Sequence, residues 1–118
     1  MHVAFGDHQV ADVAAEIEAR TIGARLRQQA LAAGRHMSGS KAFFGLPAIP
    51  TLPWHGSAMV YWDSGSPTAP TDNTPPRAGS DPHERPRRQP AARLQKSEFL
   101  RSNGVVIDVC GGAPCLAP

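Results

Sequence analysis

Two short segments hold the side chains best placed to do chemistry. In the first, the apolar run Val3-Ala4-Phe5 meets a turn at Gly6-Asp7, and helix-forming sequence begins at Gln9. In the second, Asp81-Pro82-His83-Glu84, a histidine lies between the strand-like run Ala58-Met59-Val60-Tyr61-Trp62 and a helical stretch that starts near Ala91. Open α/β sheets place functional groups at the carboxyl ends of their strands, where Asp7 would sit. A carboxylate that fixes one histidine tautomer and stabilises its charged form lets the ring take a proton from a nucleophile and return it to a leaving group. Asp7 and His83 are distant in sequence, so only two neighbouring strands ending at one sheet edge could bring them together. Plainer roles compete: Asp7 as the N-cap of the following helix, His83 as a solvated loop residue. His8, beside the acid, is expected to point elsewhere.

The remaining reactive types are less suggestive. Cys110 and Cys115 could close a small loop as a disulfide, but two cysteines do not make a disulfide framework. The histidines have no ligand spacing, so neither a metal nor another cofactor is expected. Arg85-Pro86-Arg87-Arg88, with Arg93 and Lys96, is a basic segment without interleaved aromatics or a nucleic-acid fold motif. It reads as a solvated loop, with no nucleic-acid partner.

The elements that would position these residues follow from composition and period. Residues 9–33 lack proline and are rich in Ala, Glu, Arg, Gln and Leu, which predicts a helix over about 9–20 with an irregular or helical continuation to Gly34. Val10, Val13, Ala14, Ile17, Ala24 and Leu31 share one arc and are its expected buried face. Proline at every third position makes 47–53 an extended connector. Ala58–Trp62 and Val105–Val109 are the two best strands. Residues 64–90 hold seven prolines and read as a long Pro-rich loop or disorder. A last helix spans 91–101, with Leu94, Phe99 and Leu100 as anchors. Strand, helix, connector, strand, loop, helix, strand is an α/β order. About three short strands and two helices are too few for a free-standing doubly wound sheet.

Composition sets outer bounds. The chain has 118 residues, room for one small domain, and a net charge of +2. Leu, Ile, Val and Phe total 22, just under the roughly one-fifth of residues that supports a core. No apolar run reaches the ~18 residues of a membrane span. The start, Met1-His2-Val3-Ala4-Phe5, lacks the basic and apolar regions of a signal peptide, so a cytoplasmic chain with two free thiols is expected.

Four segments, in this order, resemble the C-terminal part of bacterial lipase- or esterase-like α/β-hydrolases: Gly6-Asp7-His8-Gln9-Val10, Glu18-Ala19-Arg20-Thr21-Ile22-Gly23, Trp62-Asp63-Ser64-Gly65 and Asp81-Pro82-His83-Glu84. The triad of that fold runs nucleophile, acid, histidine. The resemblance implies that Asp7 stands at the acid and His83 at the general base of a serine hydrolase acting on an ester or acyl substrate. The family is often exported, which implies a parent that could be secreted with Cys110 and Cys115 oxidised. The chain departs from the pattern at the nucleophile: it has no Gly-x-Ser-x-Gly, and only six residues precede Asp7. Residues 1–118 are therefore read as one incomplete hydrolase fragment, inactive alone, whose missing strands a partner could supply. The alternative is a small, partly disordered interaction protein with a docking helix and a basic Pro-rich linker.

Overall fold

The computed structural model describes residues 1–36, 42–67 and 81–118. The organising element is strand β3, Ala58–Asp63, whose six residues are all buried. Its β-branched and aromatic side chains suit a pleated strand with both faces covered, as parallel sheets require. Strand β1, His2–Ala4, runs parallel to it with Val3 opposite Tyr61. Two shorter parallel strands also pair with β3: β2, Arg25–Leu26, beside Ala58 and Met59, and β4, Cys115–Leu116, beside Trp62 and Asp63.

Backbone polarity shows how four strands share one partner. The Val60 amide and Trp62 carbonyl bond Met1 and Phe5, on the β1 side. The Ser57, Met59 and Asp63 carbonyls accept from Arg25, Arg27 and Ala117. Successive strand residues direct these groups to opposite sides. So β2 and β4 follow one another along one side of β3, and β1 occupies the other. The class is α/β with a small parallel sheet, as the element order implied.

Helices cover both faces. Helix α1, Asp12–Thr21, places Ala15 and Ala19 against Val3, Phe5, Met59 and Tyr61. Beyond the carboxyl end of β3 come a short helix, α2, Arg85–Arg88, and then α3, Pro90–Phe99. Ala92 of α3 packs on Val60 and Trp62. A third cluster joins Ile49, Ala58 and Val106 at the opposite end of β3.

Several expectations fail for physical reasons. Helix α1 starts at Asp12 with no side-chain cap, because Asp7 bonds earlier amides instead. It buries Ala15, Glu16 and Ala19 and exposes Val13, Ala14 and Ile17, with Val10 exposed just before it. These members of the expected face point outward, while Ala24 and Leu31, beyond the helix, lie in or against the core. Small residues let the helix approach the sheet, and this outweighs the apolar arc. Gly23, at φ +70°, ends the helical path, and Arg25–Leu26 pairs as a strand where an irregular or helical continuation was expected. Val105–Val109 contributes only an antiparallel bridge between Val106 and Trp54, and the last strand is Cys115–Leu116. Leu94, Phe99 and Leu100 are exposed, so they are not core anchors among the described residues. Of the expected Pro-rich loop, 68–80 lies outside the described residues, but 85–88 is helical and α3 begins at Pro90. The structure thus has four strands and three α-helices among the described residues, where three and two were expected.

Candidate active site

Asp7 lies just past the carboxyl end of β1. The chain turns there at Gly6, whose φ of +77° is a left-handed conformation costly to any residue with a Cβ. The Gly6 amide donates to both oxygens of the Asp12 carboxylate, at 3.1 and 3.3 Å, tying the turn to the first residue of α1. Asp7 Oδ1 accepts from the amides of Gln9, at 2.8 Å, and Val10, at 3.2 Å. Its other oxygen, Oδ2, lies 2.7 Å from His83 Nδ1. The residues singled out from opposite parts of the sequence are thus in direct contact.

His83 is positioned by a second carboxylate. Asp81 Oδ1 accepts from the His83 amide at 3.1 Å and the His8 amide at 3.2 Å, while Oδ2 accepts from Gln9 Nε2 at 2.9 Å. Asp81 therefore staples the loop before α2 to the loop after β1. His8 contributes its backbone amide, and its exposed side chain adds an electrostatic pull on the Asp81 carboxylate.

The two ring nitrogens of His83 face different surroundings. An ionised Asp7 can only accept, so Nδ1 carries the hydrogen in that contact. Arg87 Nη2 lies 3.5 Å from Nε2, and a guanidinium can only donate. Nε2 is then the acceptor nitrogen, the arrangement a general base needs. Glu84 Oε1 is 3.7 Å from the same nitrogen and is itself paired with Arg87 at 2.9 Å. Proton uptake at Nε2 would thus occur beside two carboxylates, Asp7 and Glu84.

A cleft of about 490 Å³ opens beside this pair. Met1 to Ala4 line its length, Val10, Ala15 and Glu18 one wall, and Pro86, Arg87, Arg93 and Lys96 the other. Its size is that of small-molecule sites. Among the described residues, no hydroxyl or thiol hydrogen-bonds His83, and both cysteines are joined to each other as a disulfide. Ser64 and Ser66, after β3, bond one another at 2.7 Å. Among the described residues no group of three His, Cys, Asp or Glu side chains is placed to hold a metal ion.

Asp63 shows how the end of β3 is kept in place. Arg35 grips its carboxylate with two bonds, of 2.6 and 2.7 Å, and also donates to the Ser66 carbonyl at 2.8 Å. Although burial opposes it, this guanidinium holds the Asp63 carboxyl below its ordinary range. The same guanidinium lies over the Phe5 ring, 4.8 Å from its centre.

Sequence reading missed a second acid–histidine pair. Glu16, buried on the inner face of α1, accepts from Tyr61 Oη at 2.7 Å and lies 2.6 Å from His36 Nε2. Burial first, then the bond to Glu16, keeps the Tyr61 hydroxyl protonated far above its usual range. Phe43 covers His36, with ring centres 4.4 Å apart. The one available signal was a glutamate flanked by Ala15 and Ala19 on the small-residue face of a helix.

The chain matches no family description, no curated protein and no solved structure. What the site can do therefore has to be argued from its geometry.

Proposed function

We propose that this chain supplies the acid and the general base of an ester- or acyl-hydrolase-like site, Asp7 and His83, with the nucleophile brought by another polypeptide. The supporting observation is the 2.7 Å contact between Asp7 Oδ2 and His83 Nδ1 at the carboxyl end of a parallel strand, beside a cleft. In the reaction, His83 Nε2 takes the proton of an incoming hydroxyl as it attacks the acyl carbon, then delivers that proton to the departing alkoxide. Asp7 keeps Nδ1 as the donor and stabilises the ring while it is charged. Among the described residues no hydroxyl or thiol is seated on His83, so turnover by the chain alone is expected to stay low.

An added alcohol tests this reading. With p-nitrophenyl acetate as acyl donor and trifluoroethanol as acceptor, the wild-type chain accelerates alcohol-dependent release of p-nitrophenolate. His83→Ala abolishes that acceleration, and Asp7→Asn lowers it by about tenfold or more, within the usual range for general-base assistance. An alcohol-dependent rate unchanged by His83→Ala would contradict the proposal.

One observation favours a second reading, that of an interaction protein. Val13 and Ile17 of α1, with Val10 just before the helix, form an exposed apolar stripe, the kind of face with which an amphipathic helix binds a partner. That reading predicts partner binding that survives replacement of both Asp7 and His83 by alanine.

A further inference from the structure

Residues from both faces of the sheet border the cleft: Val10, Ala15 and Glu18 from the α1 side, Arg87, Arg93 and Lys96 from the α2–α3 side. Strand β1 lies between them. The cleft therefore runs along the edge of β1 that faces away from β3. Because Met1, Val3 and Phe5 direct their backbone groups toward β3, His2 and Ala4 direct theirs into this cleft. The Ala4 carbonyl accepts from the Asp7 amide. The amides of His2 and Ala4 and the His2 carbonyl have no hydrogen-bond partner among the described residues.

We infer that this edge is an acceptor site for one further parallel strand, an extended polypeptide segment whose side chains alternate between apolar and acidic. The inference deepens the proposed function by saying where the second polypeptide docks. Two free amides and a carbonyl in a row match main-chain groups, which an acyl chain or other apolar small molecule could not satisfy. Helices on both faces leave room for a strand in the plane of the sheet. Alternation follows from the walls, since successive side chains of a strand point to opposite faces. On the α1 side they would meet Val10 and Ala15, with Glu18 the one charge on that wall, and on the other the cations of Arg87, Arg93 and Lys96. A guest parallel to β1 has its carboxyl end toward Asp7 and His83, where a nucleophile must arrive. The stripe of Val10, Val13 and Ile17 begins at the cleft wall, so a guest strand that continued as a helix would find an apolar surface waiting.

Peptides of about six residues, the usual strand length, supply the probes. One alternates Val and Glu, the other Val and Lys. The Val–Glu peptide is expected to slow hydrogen exchange at the His2 and Ala4 amides by about tenfold or more, and the Val–Lys peptide is not. Protection should weaken with added salt. Lys96→Glu, at an exposed position, should shift preference toward the Val–Lys peptide. Protection in His83→Ala should match the wild type, which separates docking from the acid–base reading: loss of alcohol-dependent acyl transfer with docking intact would strike only the latter. Failure of the Val–Glu peptide to protect His2 and Ala4, or equal protection by both peptides, would overturn the inference.

Discussion

Two acid–histidine pairs stand in this small protein, and they differ in what surrounds them. Glu16 and His36 are 2.6 Å apart, with side chains 5% and 14% exposed. Asp7 and His83 are 2.7 Å apart, with 7% and 20% exposed. Distance and burial hardly separate them. Their neighbours do. Glu16 also accepts the Tyr61 hydroxyl, Phe43 covers His36, and the group belongs to the packing between α1 and the sheet. Asp7 spends its other oxygen on two backbone amides, and His83 lines a cleft with the polar groups of Arg87 and Glu84 beside Nε2. A short acid–histidine contact is thus no mark of a site by itself; what the second ring nitrogen can reach decides its use.

The largest effect that would break this contrast is on stability. Glu16→Ala removes the acceptor of the buried Tyr61 hydroxyl and one partner of His36, and should cost about 3 kcal/mol in urea unfolding. Asp7→Asn keeps an oxygen for the Gln9 and Val10 amides and should cost less than about 1 kcal/mol. Equal losses would make both pairs structural.

Asp12 lies between the two pairs and sharpens the comparison through pH. Burial, with Glu16 and Asp7 nearby, raises its carboxyl from 3.8 to about 6, against the bond from the Gly6 amide. The folded chain therefore holds this proton more tightly than the unfolded one. Asp12 favours folding at low pH, and the benefit disappears as pH rises from about 4 to about 6. Asp12→Asn, which still accepts from Gly6, should stabilise the protein by about 1–2 kcal/mol at pH 7 and leave stability at pH 4 nearly unchanged. Unfolding curves at the two pH values check this.

A smaller effect is expected at the turn. Gly6→Ala puts a Cβ on a left-handed residue and should cost about 1 kcal/mol by the same measurement. Because Gly6 sets the exit of β1 toward Asp7, it should also lower alcohol-dependent acyl transfer, while Tyr61 fluorescence, which reports on the Glu16 pair, stays as in the wild type.

The parts of this structure legible in the sequence are those where local preference and tertiary role agree. Ala58–Trp62 is rich in residues that suit a strand buried on both faces, and it became the centre of the sheet. The placement of Asp7 and His83 was legible because a carboxylate after a strand and a histidine before a helix converge when the strands are neighbours. Elsewhere tertiary contacts overrode local preference. The apolar arc of α1 points outward because Ala15 and Ala19 allow closer approach to β3 than Val13 and Ile17 would. Val105–Val109 has strand-forming residues, but its groups serve other partners: Ile107 accepts from Gln95, Asp108 from the buried Arg27. Cys115–Leu116 joins the sheet although nothing in its local composition marks it as a strand. Glu16, His36 and Tyr61 come from three separate segments, and no spacing announces their meeting.

The central claim is that Asp7 holds His83, a residue of the cleft wall, with its hydrogen on Nδ1 and leaves Nε2 as the acceptor. Long-range proton–nitrogen correlation of the ring nitrogens at pH 8, comparing wild type with Asp7→Asn, tests it most directly. The account predicts hydrogen on the His83 Nδ1 in the wild type and a shift toward the Nε2–H form in Asp7→Asn, while His36 is unchanged. A wild-type His83 with hydrogen on Nε2, or one indifferent to Asp7→Asn, would contradict it.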